Sequence, residues 1–273
     1  MPAPLPPLRE VIRTFGLAAR RGLGQHFLLD GNLTARIARA AGDLGAGTVI
    51  EVGPGPGGLT RSLLAHGAAR VLAVEKDERC TAALQDLIAA YPERLTVIAG
   101  DALSLDLVAM STPPRRVVAN LPYNAATPLL IGWLRSAQAF AGFTLMFQKE
   151  VADRLAARPG TPDYGRLSVI AQWLCDVRFE FTVDARAFVP PPQVTSAVVT
   201  LIPRAQPLAE AEWTALERVT AAAFGQRRKM LRSALKSLGL DPEAAGIAGT
   251  RRGETLNVPE FCALARALGG RGG

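Results

Sequence analysis

The stretch that decides the fold runs from residue 48 to residue 58 and reads TVIEVGPGPGG. Its first half is a short apolar, β-branched run, which predicts a buried strand. The second half places Gly53, Gly55 and Gly58 in the pattern G-x-G-x-x-G, where a strand turns into a helix. Glycines there let the backbone turn tightly and approach a nucleotide-like ligand. The pattern alone fits a dinucleotide dehydrogenase, an S-adenosylmethionine enzyme or a plain glycine-rich turn.

Strand and helix patterns alternate on the C-terminal side of this stretch. Further strands are predicted at RVLAVE (70–75), LTVIAGD (95–101), RRVVANLPY (115–123) and GFTLMFQ (142–148). Intervening helical patterns of ten to fifteen residues indicate βαβ units and a parallel sheet. The segments VRFEFTV (177–183) and SAVVTLI (196–202) lack a helix between them, so we expect them to pair antiparallel at one end of the sheet.

Beyond Pro203 the strand patterns end and only helical spacing remains. The helical segments are EAEWTALERVTAAAF (210–224), KMLRSALKSL (229–238) and VPEFCALARAL (258–268). We therefore predict an α/β catalytic domain over residues 1–204. It begins with an N-terminal arm over 1–20, whose proline-containing first residues are extended and precede a short helical pattern, LREVIRTFGL (8–17). A small all-helical domain over 205–268 and a disordered tail over 269–273 follow the catalytic domain.

Composition excludes several classes of protein. The 273 residues are 49% hydrophobic, with a net charge of +7 that the two ends of the chain carry, because residues 41–204 hold fifteen basic and fifteen acidic side chains. A neutral body with basic ends suits a catalytic core flanked by surfaces for a polyanion. Three scattered cysteines and two histidines argue against a disulfide scaffold or a metal centre. Without an 18-residue apolar run or a signal-peptide pattern, we expect a cytoplasmic protein.

Three carboxylates lie near the carboxyl ends of predicted strands. Glu51 precedes the glycine loop, where it would repel a pyrophosphate but attract a sulfonium and an amino group, so it points away from NAD. Glu75 is placed to accept hydrogen bonds from both hydroxyls of a ribose, the alternative being a solvated acid at a strand end. Asp101, followed by Ala102, can accept from an adenine amine, or it caps the following helix.

The motif Asn120-Leu121-Pro122-Tyr123 follows the fourth predicted strand. An adenine amine is a poor nucleophile because its lone pair is delocalised into the ring. An Asn oxygen and a carbonyl before a proline can each accept one N–H, which favours a pyramidal nitrogen aimed at an electrophilic methyl group. The ring of Tyr123 can stack on the base. The alternative is a bland Pro-Tyr turn.

Six motifs together resemble the ribosomal RNA adenine dimethyltransferases. They are GLGQHFL (22–28), EVGPGPGGLT (51–60), VEKD (74–77), GDAL (100–103), NLPY (120–123) and FVPPPQVTSAVV (188–199). The resemblance covers almost the whole chain. It implies a Rossmann-like, seven-stranded S-adenosylmethionine-dependent methyltransferase fold with a small C-terminal helical domain, and it needs no metal.

The resemblance also implies roles for individual residues. The cofactor set is His26, Leu28, Glu51, Gly53, Gly55, Glu75, Asp101, Ala102 and Asn120. His26 and Leu28 would contact the amino-acid end of the cofactor. Many members carry Asn where this chain has His26, so that contact becomes open to pH dependence. Phe188 would grip the flipped base opposite Tyr123; its alternative is a hydrophobic plug between strands.

Two basic clusters complete the expected site. The residues are Arg20 and Arg21 near the N-terminus, and Arg227, Arg228, Lys229, Arg232 and Lys236 in the C-terminal part. Arg228, Arg232 and Lys236 recur at i, i+4 and i+8, which predicts one stripe along a helix. The resemblance favours phosphate contacts, and a solvated face is the alternative.

The implied activity is dimethylation of two adjacent adenines in the 3′-terminal hairpin loop of 16S rRNA, linked to small-subunit biogenesis, by a protein expected to be monomeric. Its partner would be 16S rRNA in the 30S subunit or its precursor. Alternatives are a 23S rRNA methyltransferase conferring antibiotic resistance and a DNA adenine methyltransferase, since both share motifs. A ribosome-assembly factor that acts mainly by binding, and a dehydrogenase, are more distant possibilities.

Overall fold

The computed structural model describes residues 5–18 and 24–270. Its strands, in chain order, are β1 (Phe27–Leu28), β2 (Thr48–Val52), β3 (Val71–Glu75), β4 (Leu95–Ala99), β5 (Arg115–Asn120), β6 (Gly142–Gln148), β7 (Cys175–Val183), β8 (Phe188–Val189) and β9 (Ser196–Pro203). Seven of them form one sheet in the order β4-β3-β2-β5-β6-β9-β7, and β1 pairs with β8 in a separate antiparallel ladder.

The sheet has the predicted Rossmann-like architecture. Strands β2 to β6 run parallel, with Val49 beside Val71 on one side and Ile50 beside Val117 on the other. Every residue of β2 and β3 is buried, as expected for parallel strands covered on both faces. β9 runs antiparallel to β6, and the segments predicted to pair at the edge, β7 and β9, are neighbours there. The α/β fold class is confirmed.

Eleven α-helices lie among the described residues. They are α1 (Leu8–Thr14), α2 (Gly31–Ala40), α3 (Gly58–Ala65), α4 (Glu78–Ala83), α5 (Gln85–Ala90), α6 (Tyr123–Leu134), α7 (Lys149–Ala156), α8 (Arg166–Leu174), α9 (Trp213–Gly225), α10 (Leu231–Ala234) and α11 (Val258–Gly269). α2 packs on α3, while α4 and α5 pack on β4. None of the described helices is long and apolar enough to cross a membrane.

The order of the parallel strands reverses at β2. From this strand the chain proceeds outward through β3 and β4 on one side, and through β5 and β6 on the other. Such a reversal leaves a crevice beyond the carboxyl ends of the two central strands, because their following segments diverge. The glycine loop after β2 and the Asn120 motif after β5 border this crevice.

The chain separates into two compact units. The first holds the residues up to Ala152 and Arg178–Ile202, and the second holds Asp153–Val177 with the residues from Pro203 onward. The prediction assigned 153–177 to the catalytic domain. In the structure α8 packs against α9 and α11, and the Trp173 and Trp213 ring centroids lie 5.9 Å apart. The apolar side of α8 is therefore part of the core of the second unit.

Two C-terminal predictions need correction. The segment 229–238 is not one helix: α10 has four residues and is followed by a 3-10 helix over Lys236–Leu238. The N–H groups of Leu231 and Arg232 donate to the carbonyls of Arg251 and Gly249, so the helix begins only there. The predicted disordered tail should also not include Gly269 and Gly270, because Gly269 ends α11 and Gly270 is its C-cap. Within the predicted N-terminal arm, residues 5–18 are described, and the expected short helix is α1 (Leu8–Thr14). Arg20, Arg21 and residues 271–273 lie outside the described ranges.

Candidate active site

A cavity of about 280 Å³ lies at the carboxyl ends of the central parallel strands. The residues that line it include all nine predicted cofactor residues and the whole Asn120 motif: His26, Leu28, Glu51, Gly53, Gly55, Glu75, Asp101, Ala102, Asn120, Leu121, Pro122 and Tyr123. Parallel strands place their carboxyl ends at one edge, so residues far apart in the chain meet here. The structure brings together the set that the motifs singled out.

The glycine loop has the conformation and the spacing that require glycine. Gly53 and Gly55 have φ of +72° and +56°, in the left-handed region. A Cβ added at Gly58 would lie 2.5 Å from the carbonyl oxygen of Leu28. α3 can therefore begin directly beneath β1 only with glycine at this position.

Glu75 is fixed at the end of β3 by backbone donors. Its Oε2 accepts from the N–H of Gly55 at 2.9 Å, and its Oε1 accepts from the N–H of Asp77 at 2.8 Å. Burial raises the pKa of Glu75, although these two donors act in the opposite direction. Each carboxylate oxygen retains a second lone pair for a ligand hydroxyl. The alternative of a solvated acid is wrong, because Glu75 is buried.

Glu51 is a buried carboxylate with a missing partner. It is 1% exposed, and its Oε2 has no hydrogen-bond donor among the described residues. Burial raises its pKa to about 8, the nearby Thr60 hydroxyl acts in the opposite direction, and the neighbouring Glu75 adds to the rise. The Thr60 hydroxyl, which also lacks a partner, does not reach hydrogen-bond geometry with Glu51. A buried acceptor without a donor is costly, so the site favours a ligand that brings an N–H or a cation.

Asp101 makes contacts that its spacing did not predict. Its Oδ2 pairs with Lys76 Nζ at 2.8 Å, and its Oδ1 accepts from the N–H of Leu103 at 3.0 Å. The bond from Lys76, followed by that from Leu103, lowers the pKa of Asp101. Residues 102–104 form a turn rather than the helix of the alternative reading. Lys76 also lines the cavity, a position that residue spacing did not predict.

A second missed residue is Asp77, next to the predicted acid. It is 3% exposed and accepts from Gln25 Nε2 at 2.9 Å and from Arg79 at 2.6 Å. The bond from Arg79 is the main cause that lowers the pKa of Asp77 to about 2. Asp77 therefore fastens the segment 24–28 to the end of β3. The adjacent acids in VEKD were the available signal.

Asn120 is the last residue of β5, and Pro122 is the N-cap of α6. This helix begins at Tyr123, so the Tyr123 ring is held at a helix start. The Tyr123 hydroxyl lies 2.5 Å from Ser196 Oγ. Asn120 Nδ2 donates to the carbonyl of His26 at 3.0 Å, and its Oδ1 has no hydrogen bond with the described residues.

Phe188 lies where the alternative interpretation places it. It is 1% exposed and does not line the cavity, because Leu28 pairs with it across the β1–β8 ladder and the core packs around it. The expected grip of Phe188 on a base opposite Tyr123 is not present in this structure. The ring nearer to Tyr123 is His26, with centroids 5.6 Å apart.

The basic residues of the second unit differ among themselves. Arg227 donates to the carbonyls of Pro162 and Tyr164 at 2.8 and 3.1 Å and lies 3.6 Å from Glu254, so its role is to join loops. The other four are exposed, and their side chains make no hydrogen bond or ion pair with the described residues: Arg228, Lys229, Arg232 and Lys236. They lie on a turn, a bend, a short α-helix and a 3-10 helix. The predicted single-helix stripe is wrong.

Comparison with known proteins agrees with this geometry. The sequence pattern of the family described as ribosomal RNA adenine dimethylase matches residues 16–264. A ribosomal RNA small subunit methyltransferase A from Rhodospirillum rubrum is 65% identical over 98% of this chain and 94% of its own. A protein of the same name from Ruegeria sp. is 55% identical over 97% of each chain.

Solved structures point in the same direction. A dimethyladenosine transferase from Plasmodium falciparum is similar, with a TM-score of 0.78 and 25% identity over 90% of this chain and 98% of that one. The 23S rRNA methyltransferase ErmE is similar with a TM-score of 0.66 and 28% identity, over 89% of this chain and 99% of that one. The chain therefore belongs to the ribosomal RNA adenine dimethylase family, and it is an rRNA adenine dimethyltransferase.

Proposed function

We propose that this enzyme uses S-adenosylmethionine to dimethylate two adjacent adenines in the 3′-terminal hairpin loop of 16S rRNA. The observation that carries the proposal is that one cavity holds two side chains with an unused hydrogen-bond acceptor. One is the Asn120 amide, whose Oδ1 has no partner among the described residues, and the other is the buried Glu51 carboxylate that lacks a donor. The curated relatives that match nearly the whole chain are named for the small subunit.

The lining residues fit the cofactor. S-adenosylmethionine supplies a methyl group on a positively charged sulfur. Glu51 would accept from its ammonium group, which answers the missing donor at Oε2. Glu75, already oriented by two backbone N–H groups, would accept from the ribose hydroxyls, and Asp101 from the adenine amine. His26, Leu28, Gly53, Gly55 and Ala102 would close the remaining sides of the cavity.

The Asn120 motif would hold the target base. Asn120 Oδ1 and the carbonyl of Leu121 each accept one N–H of the adenine amine, which turns the nitrogen lone pair toward the methyl group. The Tyr123 ring supports the base by stacking, a contact of roughly 1–3 kcal/mol. Methyl transfer would move the positive charge from sulfur to the adenine nitrogen. The charged nitrogen is acidic, so it would release its proton to water without a strong base.

The second unit would hold the RNA. The exposed cations Arg228, Lys229, Arg232 and Lys236 are the proposed phosphate contacts, together with Arg20 and Arg21 outside the described ranges. Catalysis would belong to the first unit, and the working protein would be a cytoplasmic monomer acting on the 30S subunit or its precursor. No group of three or more His, Cys, Asp or Glu suited to a metal occurs among the described residues.

The test separates this substrate from its alternatives. The protein is incubated with S-adenosylmethionine labelled in the methyl group and with unmethylated 30S subunits, unmethylated 23S rRNA or duplex DNA. We expect label only in the 30S reaction and roughly 10²- to 10³-fold slower labelling with the Asn120→Ala variant. Preferential labelling of 23S rRNA would transfer the assignment to the ErmE-like branch. Stable 30S binding by a wild-type protein that transfers no label would indicate an assembly factor.

A further inference from the structure

His26 makes two hydrogen bonds that binding a cofactor does not require. Its Nδ1 lies 2.8 Å from the carbonyl oxygen of Pro190. A carbonyl only accepts, so Nδ1 carries the proton of this bond. The imidazole therefore links residues 24–28, the segment that closes one side of the cavity, to the proline-rich loop at 190–192.

The second bond involves the backbone of the same residue. The carbonyl of His26 accepts from Asn120 Nδ2 at 3.0 Å. Because the amide nitrogen is engaged there, the amide cannot rotate by 180° without losing this bond. The other end of the amide, Oδ1, is the acceptor that the target amine needs.

The register of the β1–β8 ladder places His26 opposite a proline. Phe27 pairs with Val189 and Leu28 with Phe188, so His26 lies opposite Pro190. Proline has no N–H, so Pro190 cannot donate to the His26 carbonyl. That carbonyl accepts from Asn120, and the imidazole adds a side-chain bond between the two segments beside the ladder.

We propose that His26 is a positioning residue for methyl transfer. Its imidazole anchors the segment 24–28 to Pro190, and this anchor keeps the His26 carbonyl where it orients the Asn120 amide with Oδ1 toward the target. The inference rests on the proposed function, because it assigns Asn120 its acceptor role. It makes the cavity-closing segment part of the target site as well as of the cofactor site.

Three variants at His26 distinguish its side-chain bond to Pro190 from a contact with the cofactor. In His26→Asn the side-chain Nδ2 lies near the position of the imidazole Nδ1 and can still donate to Pro190. In His26→Gln the amide nitrogen lies near the position of Nε2 instead, and His26→Leu has no donor. The readouts are the single-turnover rate at saturating S-adenosylmethionine and the affinity for S-adenosylhomocysteine by calorimetry.

We expect the rate to fall by about tenfold in the Leu and Gln variants, as for a lost hydrogen bond that positions a reacting group. An affinity change shared by all three variants would report the contact of His26 with the cofactor, whereas the Asn variant alone should recover most of the rate. Equal rates for Asn and Gln, or a loss confined to affinity, would overturn the proposal. The matched control is His66→Leu, since the exposed His66 makes the same bond, Nδ1 to the carbonyl of Ser62 at 2.8 Å, on the surface of α3. Its rate should not change.

A spectroscopic readout keeps the two proposals separate. The side-chain NH₂ resonance of Asn120, assigned by its loss in Asn120→Ala, reports the bond to His26 without any turnover. It should move in the Leu and Gln variants and stay in the Asn variant; an unmoved resonance in all three would overturn the positioning role. A wild-type protein that methylates no RNA would overturn the proposed function alone.

Discussion

The carboxyl edge of the sheet and the basic segment 227–236 were both predicted from residue spacing, and they differ in outcome. At the sheet edge, residues from five separate motifs line one cavity. In the basic segment, one supposed helix is a turn, a bend, a four-residue α-helix and a 3-10 helix. Three cations expected on one stripe therefore lie on different local structures.

The difference follows from what each prediction needed. A residue at the end of a buried parallel strand is placed by the sheet, whatever the loop after it does. A stripe at i, i+4 and i+8 requires an unbroken helix of at least nine residues. That helix is prevented by tertiary hydrogen bonds from Leu231 and Arg232 to residues 249–251, which local periodicity does not reveal.

The largest expected effect is at the sheet edge. Asn120→Ala should lower methyl transfer by roughly 10²- to 10³-fold, because the target amine loses an oriented acceptor. Affinity for S-adenosylhomocysteine should change only a few-fold, since Asn120 acts mainly on the target. The measurements are single-turnover transfer and calorimetry. Turnover within a few-fold of wild type would exclude Asn120 from the chemistry.

Glu75→Ala should have the next largest effect and should weaken cofactor binding. The lost bidentate acceptor suggests roughly 2–3 kcal/mol, or about 30- to 150-fold weaker binding. Removal of the acceptor for the Gly55 N–H contributes to this loss. Calorimetric titration with S-adenosylhomocysteine measures it. A Kd equal to that of wild type would contradict the ribose assignment.

Glu51→Gln should change the pH dependence of the cofactor-free protein. The pKa of Glu51 is raised to about 8 in the fold, so its favourable contribution to stability is complete below pH 4.5 and is lost as the pH rises through 8. The slope is at most about 1.4 kcal/mol per pH unit. The variant should therefore be more stable than wild type at pH 8.5, and the advantage should vanish near pH 5.

Thermal unfolding from pH 5 to 9 without cofactor measures this difference. Because Glu75 interacts with Glu51, the difference between the two curves reports the Glu51 charge together with its effect on Glu75. Parallel curves would show that Glu51 is not the buried proton site. The variant should also bind S-adenosylhomocysteine more weakly, because Glu51 no longer offers a charge to the ammonium group.

Smaller effects are expected in the basic segment, where they should distinguish the exposed cations from Arg227. Arg228→Ala with Lys229→Ala should flatten the plot of log affinity for 30S particles against log salt by about 1.5 to 2 units. Cofactor affinity should stay unchanged. Arg218→Ala, on the exposed face of α9, controls for a lost charge outside the segment and should leave the slope as it is. A slope unchanged by the double variant would indicate a solvated face.

Arg227→Ala should have the smallest effect on RNA binding and a measurable one on stability. The side chain donates to two carbonyls and pairs with Glu254, and their loss suggests about 1–2 kcal/mol. Chemical denaturation of both proteins measures it. If Arg227→Ala flattened the salt slope as much as Arg228→Ala while unfolding like wild type, the structural role would be wrong.

Sequence reasoning located the seven strands of the main sheet, the glycine loop and the acids because each depends on local pattern and sheet geometry, but it did not predict β1 or β8. It did not find Lys76 or Asp77, whose roles depend on partners 25 and 52 residues away. It gave Phe188 the wrong surroundings because the β1–β8 ladder joins segments about 160 residues apart. It missed α8 as part of the second unit, since helical spacing does not reveal which core a helix joins.

The most direct test of the account is the identity of the methylated nucleotides. After incubation of unmethylated 30S particles with labelled S-adenosylmethionine, the 16S rRNA is digested and its fragments are mapped by mass spectrometry. We expect four added methyl groups, two on each of two adjacent adenines in the 3′-terminal hairpin loop, and roughly 10²- to 10³-fold slower addition with Asn120→Ala. Methylation of any other nucleotide, or an unmodified loop, would contradict the account.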